Sequence, residues 1–420
     1  MRRDRTSEYA WALYDWANSA FATTVMAAFF PVMFKEYWCA GAAVTESSWR
    51  LGVTNALASA VVMVLAPVLG AIGDRSGTRR RLLFAFALLG IAATGSLTLV
   101  GRGDWVLAAL LFVVGAIGFS CSCVFYDALL VQVAAPDRID RVSSLGYSLG
   151  YLGGGLLFVL NVCMVQWPAA FGLADQGQAL HLAFLSVAVW WLVFSLPLLR
   201  WVPEPAVTGS IQGVAALRAG LVQLGQTLRE IRRTRAAFLF LVGYWFYIDG
   251  VDTIIRMAMD YGLSIGLDRN DLLAALAITQ FVGFPAALLF GVLGERLGAR
   301  TGIFIGIAVY VGITIWGYSM QTAAEFYVLA VAVGLVQGGV QSLSRSLFAR
   351  LVPAGRTAEF FGFYNMLGKF AAVLGPLLMS GVGLLTGNPR TSILAVILLF
   401  AVGGLLLYRV EEPPRIAAAD

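Results

Sequence analysis

Long apolar stretches recur along the chain and are separated by short polar turns. Each stretch has about 20 residues, which is the length that an α-helix needs to cross the hydrocarbon core of a bilayer. The pattern predicts twelve spanning helices, over residues 11–36, 50–73, 82–100, 105–131, 143–166, 181–201, 237–261, 271–294, 301–320, 325–350, 359–385 and 391–408.

The only long polar segment lies between the sixth and seventh stretches. In it Leu217, Leu221, Leu224, Leu228 and Ile231 recur at helical spacing opposite several arginines, which is typical of an amphipathic helix on a membrane surface. We therefore expect an all-α membrane protein with twelve spans in two pseudo-symmetric six-helix bundles. The bundles are predicted over residues 1–201 and 237–420, joined by a linker over residues 202–236.

The composition excludes a soluble protein. Of the 420 residues 59% are hydrophobic and only 13% are charged, whereas a soluble domain carries about 25% charged residues. Twenty-one arginines border the predicted spans on the side of both termini, and five basic residues border them on the other side. By the positive-inside rule, both termini are expected in the cytoplasm.

The basic residues also bear on location and partners. All of them except Lys35 and Lys369 are arginines, which suggests a bacterium of high GC content and hence a bacterial plasma membrane. Because the basic clusters border spans, we expect contact with the lipid bilayer and no nucleic-acid partner.

Metal, cofactor and nucleotide chemistry have little support in the sequence. His181 is the only histidine, no phosphate-binding loop of the Walker type is present, and three of the four cysteines lie in apolar stretches. We expect no metal site, no disulfide, no cofactor, no ATP-driven pumping and no enzyme active site.

A ten-residue pattern occurs twice, 221 residues apart. It reads Gly-Ala-Ile-Gly-Asp-Arg-Ser-Gly-Thr-Arg over residues 70–79 and Gly-Val-Leu-Gly-Glu-Arg-Leu-Gly-Ala-Arg over residues 291–300. The repeat indicates a duplicated architecture, although tight turns also favour glycine and arginine. We interpret the glycines as points of close helix approach and the charges as a conformational latch. Its predicted members are Gly70, Gly73, Asp74, Arg75, Gly77, Arg79, Gly291, Glu295, Arg296, Gly298, Arg300 and Arg345, with Arg345 as the partner of Glu295.

This pattern resembles the signature loop of the major facilitator superfamily, and its second copy lies where that superfamily places it. Four further stretches are similar to the vacuole-effluxer-like branch: Tyr-Asp-Trp-Ala-Asn-Ser-Ala-Phe (14–21), Asp-Gly-Val-Asp-Thr-Ile-Ile-Arg-Met (249–257), Gln-Gly-Gly-Val-Gln-Ser-Leu-Ser-Arg-Ser (337–346) and Glu-Phe-Phe-Gly-Phe-Tyr-Asn (359–365). The resemblance implies a major facilitator fold, alternating access, and a solute site between the halves near the middle of the membrane. Fungal members of this branch are linked to autophagy and to export of amino acids from the vacuole.

Charged residues inside spans are the main site candidates, because an ionisable group in a membrane is costly and usually faces a cavity or a partner. Asp249, Asp252, Arg256 and Asp260 lie on one face of span seven. Either Asp249 and Asp252 belong to a solute site, or the last three residues form a self-paired ladder. At ~1.5 Å per residue, Asp249 and Lys369 both lie about 15 Å deep, so we expect a pair that either couples transport to protons or is a permanent salt bridge.

Asp15 and Asn18 in span one repeat the spacing of Asp249 and Asp252, which predicts equivalent faces on the first span of each half. The alternative for Asp15 is favourable placement near a helix N-terminus. Neutral polar residues in spans either orient a solute or form hydrogen bonds between helices; those included in the predicted site are Gln337, Gln341 and Asn365.

The predicted function is secondary transport of a small polar solute, in which Asp15, Asn18, Asp249 and Lys369 line the site and an acid takes up a proton. The mixed charges suit the zwitterion of an amino acid. The alternative from a different class is a non-transporting receptor or assembly protein that keeps the fold. We expect a monomer whose partners are the solute, protons and lipid.

Overall fold

The computed structural model describes residues 5–204, 229–232, 234–264, 266–353, 355–370, 374–386 and 389–412. These residues form helices and short connections, with no β-strand among them. Twelve helical segments in this part of the chain are long and apolar enough to cross a membrane. They are α1 (Arg5–Trp38), α2 (Thr45–Ser76), α3 (Arg79–Leu99), α4 (Trp105–Val133), α5 (Ile139–Gln166), α6 (Gln176–Trp201), α7 (Arg235–Ser264), α8 (Asn270–Leu297), α9 (Ala299–Ser319), α10 (Ala323–Leu351), α11a (Thr357–Phe370) with α11b (Leu374–Thr386), and α12 (Arg390–Tyr408).

The twelve predicted spans are confirmed. α1, α2, α3, α5 and α6 begin three or more residues before the predicted apolar stretch, because polar and charged residues such as Arg79 and Asp140 continue the helix toward the membrane surface. The predicted amphipathic helix over residues 217–231 lies largely outside the described residues. At its end, Ile231 is buried and Glu230 forms an ion pair with Arg356.

The same helix neighbours recur in the two halves. α1 packs on α5 and α6, α2 on α4, and α3 on α4 and α6; correspondingly α7 packs on α11a and α12, α8 on α10, and α9 on α10 and α12. Each half is therefore a six-helix bundle of the same arrangement. The residue boundaries proposed for the bundles, at 201 and 237, remain a prediction.

The two halves meet mainly where α2 and α4 contact α11a and where α5 contacts α8 and α10, and α4 also contacts α10. α1 begins and α12 ends on one side of the bundle, which we call the terminal side; α2, α4, α8 and α10 also end there, and α5 and α11a begin there. α11b packs on α7 and α12 within its own half. The helix ends that bring the halves together thus lie on the terminal side.

Candidate functional site

Asp74, at the terminal-side end of α2, bridges the two halves. Its Oδ1 accepts a hydrogen bond from the backbone N–H of Ala358 (3.0 Å), and its Oδ2 accepts one from the N–H of Glu359 (2.8 Å). Both amides belong to the first turn of α11a, where backbone N–H groups have no acceptor within their own helix. The carboxylate of one half therefore caps the positive end of a helix in the other half.

The other residues of the first loop shape this contact. Arg79, at the start of α3, forms an ion pair with Asp74. Gly77 ends α2 in the left-handed region, with φ of 65°, so that α3 turns back at once. Gly70 lies against the carbonyl of Ala358 so closely that a Cβ would clash with it. The glycine at this position is thus what lets α2 and α11a meet.

The contact between the halves beside the second copy of the loop is chemically different. Gly291 of α8 packs against Ser144 of α5. At the start of α5, Asp140 forms an ion pair with Arg350 of α10 and accepts a hydrogen bond from Ser346. The first contact places a carboxylate on a helix N-terminus, whereas the second pairs a carboxylate with an arginine.

The remaining predicted latch residues occupy the same turns. Arg300 donates to the carbonyl of Val410 (2.7 Å), after the end of α12. Gly298 has a positive φ of 102° at the start of α9. The others lie at the ends of α2 and α8, and they are Gly73, Arg75, Glu295 and Arg296.

Arg345 of α10 is buried between the halves, with 2% of its surface exposed. Its Nη1 lies 3.1 Å from Asp127 of α4 and 3.5 Å from Asp15 of α1. Its Nε donates to the hydroxyl of Ser143 of α5 (2.9 Å), and its Nη2 donates to the carbonyl of the same residue (2.8 Å). One guanidinium group thus ties the C-terminal half to three helices of the N-terminal half.

The two carboxylates beside this guanidinium have further donors. The hydroxyl of Tyr126 donates to Asp15 (2.8 Å), and the amide of Asn365 on α11a donates to Asp127 (2.9 Å). The ring of Tyr147 covers the guanidinium, with 4.3 Å between the ring centroid and its central carbon. These contacts offset the cost of burying two acids and one base away from water.

Serines line the helix faces that meet around Arg345. Ser143 donates to the carbonyl of Ser342 (2.8 Å), and the hydroxyls of Ser144 and Ser342 lie 2.9 Å apart. Ser342 and Ser346 are four residues apart, so they share with Arg345 the face of α10 that meets α5. Their small side chains let α5 and α10 approach each other closely, and their hydroxyl groups form hydrogen bonds between the two helices.

These contacts correct two predictions. The sequence predicts Glu295 as the partner of Arg345, whereas the arginine pairs with Asp127 and Asp15 because its face of α10 is turned toward the other half. Placement of Asp15 near a helix N-terminus is also wrong, because α1 already begins at Arg5. Asp15 belongs to the contact between the halves.

Several residues of this interface were missed as site residues. The spacing in the sequence could have identified Asp127, because it precedes Arg345 by 218 residues, close to the repeat distance of the signature loop. Equivalent positions in α4 and α10 meet across the pseudo-symmetric interface. Arg350 counted only as a topology signal, although it pairs with Asp140.

Asp249 of α7 is fully buried inside the C-terminal half. Its Oδ1 accepts hydrogen bonds from the N–H of Gly375, in the first turn of α11b (3.0 Å), and from the hydroxyl of Thr253 (3.3 Å). Its Oδ2 is buried and has no hydrogen-bond partner within the described part of the chain. A buried carboxyl oxygen without a partner is costly unless it carries a proton or meets a ligand.

The predicted pair of Asp249 and Lys369 is not what holds the carboxyl group. Asp249 takes its hydrogen bonds from α7 and α11b. Lys369 belongs to α11a, and its ammonium lies 5.8 Å from the ring centroid of Phe119 on α4, in the other half. The lysine therefore faces the space between the halves, where the predicted solute site would lie.

The neutral residues of the predicted site lie in different surroundings. Asn18 is buried, and its amide donates to the sulfur of Cys123 (3.6 Å) within the N-terminal half. Gln341 of α10 accepts a hydrogen bond from the hydroxyl of Tyr151 of α5 (3.4 Å), across the halves. Both residues form hydrogen bonds between helices, which for Gln341 is the alternative role that the sequence predicts.

Asp252 on α7 and Gln337 on α10 are both half-buried. The predicted ladder on α7 also needs Arg256 and Asp260, and their side chains lie outside the described part of the chain.

Comparisons with known proteins agree with this architecture. The family model described as "Vacuole effluxer Atg22 like" matches residues 39–139 and 131–418. The MFS-type transporter YxiO of Bacillus subtilis is 38% identical over 98% of this chain and 96% of its own length. Autophagy-related protein 22 of Eremothecium gossypii is 24% identical over 97% of this chain and 91% of its own. The structure of XylE, a proton:xylose symporter of the major facilitator superfamily, superposes with a TM-score of 0.69 at 13% identity, over 97% of this chain and 95% of that one.

Proposed function

The chain belongs to the vacuole effluxer Atg22-like family of major facilitator transporters, and from that premise we propose that it carries a small polar solute by alternating access. The solute is proposed to be an amino acid, moved with a proton across a bacterial plasma membrane by a monomer. Both termini then lie in the cytoplasm, and the terminal side is the cytoplasmic side.

The observation that carries this proposal is the burial of Arg345 between the halves. Its partners Asp127 and Asp15 belong to the N-terminal bundle, and the arginine belongs to the C-terminal bundle. An interface made of ion pairs, serines and helix ends separates at moderate cost, because water hydrates each polar group once the halves part. Such an interface is suited to opening and closing, whereas a permanent one is more apolar.

The solute site is proposed between the halves, on the opposite side of the Arg345 cluster from the cytoplasm. Lys369 would bind the carboxylate of an amino acid there, because its ammonium faces α4 of the other half. Asp252, half-buried on α7, would bind the ammonium group. The two charges would select a zwitterion over a neutral sugar.

Asp249 is the proposed proton carrier. Its Oδ1 is fixed by Gly375 and Thr253, and its Oδ2 is the buried oxygen that a proton would occupy. Because Gly375 lies in the first turn of α11b, a change in the packing of α11b alters the surroundings of the Asp249 carboxyl group. Movement of the halves would in this way be linked to proton uptake and release.

Transport by the purified protein in proteoliposomes tests the proposal. Radiolabelled amino acids, sugars and cationic drugs are offered with and without an imposed pH gradient. We expect flux of an amino acid that responds to the gradient and is lost in Arg345→Met, while Asp104→Asn, an exposed carboxyl on the opposite side, keeps it. Absence of flux for every solute class would instead favour the receptor or assembly role.

A further inference from the structure

The segment that follows the last span has the same form in both halves. After α6 the chain reads Val-Pro-Glu-Pro (202–205), and after α12 it reads Val-Glu-Glu-Pro (410–413), 208 residues later. Val202 and Val410 are both fully buried. These two exit segments are therefore a second internal repeat, in which a buried valine precedes a glutamate by two positions.

Each exit segment is held by the arginine at the second position of a neighbouring helix. Arg80 of α3 donates to the carbonyls of Leu199 (3.1 Å) and Val202 (2.7 Å). Arg300 of α9 donates to the carbonyl of Val410 (2.7 Å). The segments are thus folded against their own bundle as part of the terminal side.

The glutamates of the two segments have different partners. Glu204 forms an ion pair with Arg80 (3.2 Å), and this pair stays within the N-terminal half. Glu412 accepts a hydrogen bond from the N–H of Ala299 at the start of α9 (3.2 Å) and forms an ion pair with Arg350 (3.3 Å). Among the described residues of the two segments, only Glu412 of the second one reaches an arginine of the interface.

Arg350 joins this segment to the other half. Its Nη1 lies on Glu412, and its Nη2 pairs with Asp140 of α5 in the N-terminal bundle. The guanidinium is mostly buried, with 15% of the side chain exposed. A planar guanidinium with one edge fixed by Glu412 presents its other nitrogen to Asp140 in a set direction.

We call the contacts that Asp74, Arg345 and Arg350 make between the halves the gate on the terminal side. We propose that Glu412 is a positioning residue of this gate, and that it orients Arg350 for the contact with Asp140. The exit segment after α12 is then a part of the gate, whereas the segment after α6 only stabilises its own bundle. When the halves part, Arg350 loses Asp140 and keeps Glu412, so the arginine remains neutralised in both forms. This inference rests on the proposed alternating access.

Distances between spin labels test the inference on the full-length protein in nanodiscs. Labels are placed on Asp137 and Leu297, exposed residues just before α5 and at the end of α8, in a background without native cysteines. Glu412→Gln should raise the population of the long distance up to about five-fold, the factor that a partly exposed ion pair contributes. Two matched controls, Glu411→Gln next to it and Glu204→Gln in the other segment, should change this population by less than two-fold.

A double-mutant cycle separates positioning from general loosening. Glu412 and Asp140 share Arg350 as their ion-pair partner, so Glu412→Gln should have little further effect once Asp140→Asn has removed the ion pair across the halves. Full additivity of the two changes, or an equal effect of Glu204→Gln, would overturn the inference. If Asp140→Asn and Arg345→Met also leave the distance unchanged, the proposed alternating access fails instead. A melting curve of each variant shows whether it is folded.

Discussion

The hydrogen bonds between Asp74 and α11a stabilise the form that is closed on the terminal side, and the free energy that they contribute can be measured. Asp74→Asn retains one amide oxygen as an acceptor and presents an NH2 group in place of the other, so one of the two bonds to Ala358 and Glu359 is lost. Hydrogen bonds to charged groups contribute about 1.5–3 kcal/mol each. The ion pair with Arg79 lies within the N-terminal half, so its loss affects the closed and open forms alike.

The substitution is therefore expected to favour the form that is open on the terminal side by about 1.5–3 kcal/mol, which is roughly a 10- to 150-fold change in the equilibrium constant between the two forms. Spin labels on Asp137 and Leu297 measure this balance directly. The matched control is Asp104→Asn, the same chemical change at an exposed position on the opposite side. If the distance distributions of Asp74→Asn and the control coincide, the repeated loop is an ordinary turn, and the reasoning about the gate is refuted.

Three further outcomes are expected. Reporter fusions at the two termini should both report a cytoplasmic location. An external C-terminus would contradict an even number of spans. Asp249→Asn should abolish the response of flux to a pH gradient and preserve solute exchange; unchanged pH dependence would return Asp249 to a structural role. Gly362→Leu should hold the terminal side open and stop net transport, because even a Cβ there would lie 2.5 Å from the carbonyl of Ala66 on α2; wild-type flux in this variant would show that the two helices need not meet.

The two bundles and the gate are stabilised by different kinds of contact. Each bundle has its own buried aromatic core, such as Trp11 and Trp191 in the first and Tyr247 and Phe400 in the second. The contacts between the halves include carboxylates, arginines and serines, which water can hydrate when the halves part. Substitutions in the bundles should therefore lower stability, and substitutions in the gate should change the balance between forms.

Much of the fold could be predicted from the sequence alone. The length of the apolar stretches predicts twelve spans because a bilayer has a fixed thickness and every backbone amide in it must be bonded within a helix. The repeat of residues 70–79 at 291–300 indicates the duplication because the same loop geometry needs the same glycines and charges in each half. These properties are local, so they can be read along one chain.

The partners of the buried charges were decided by the tertiary structure. Asp249 and Lys369 lie at similar predicted depths, yet the carboxyl group is bound by Gly375 while the lysine faces α4. Arg345 pairs with Asp127 and Asp15 on helices of the other half. Sequence gives the depth of a residue in the membrane through the helical rise, but the direction of its side chain depends on how each helix is rotated and which helix packs beside it. That rotation is set by contacts between residues far apart in the chain, and so it appears only once the two bundles are assembled.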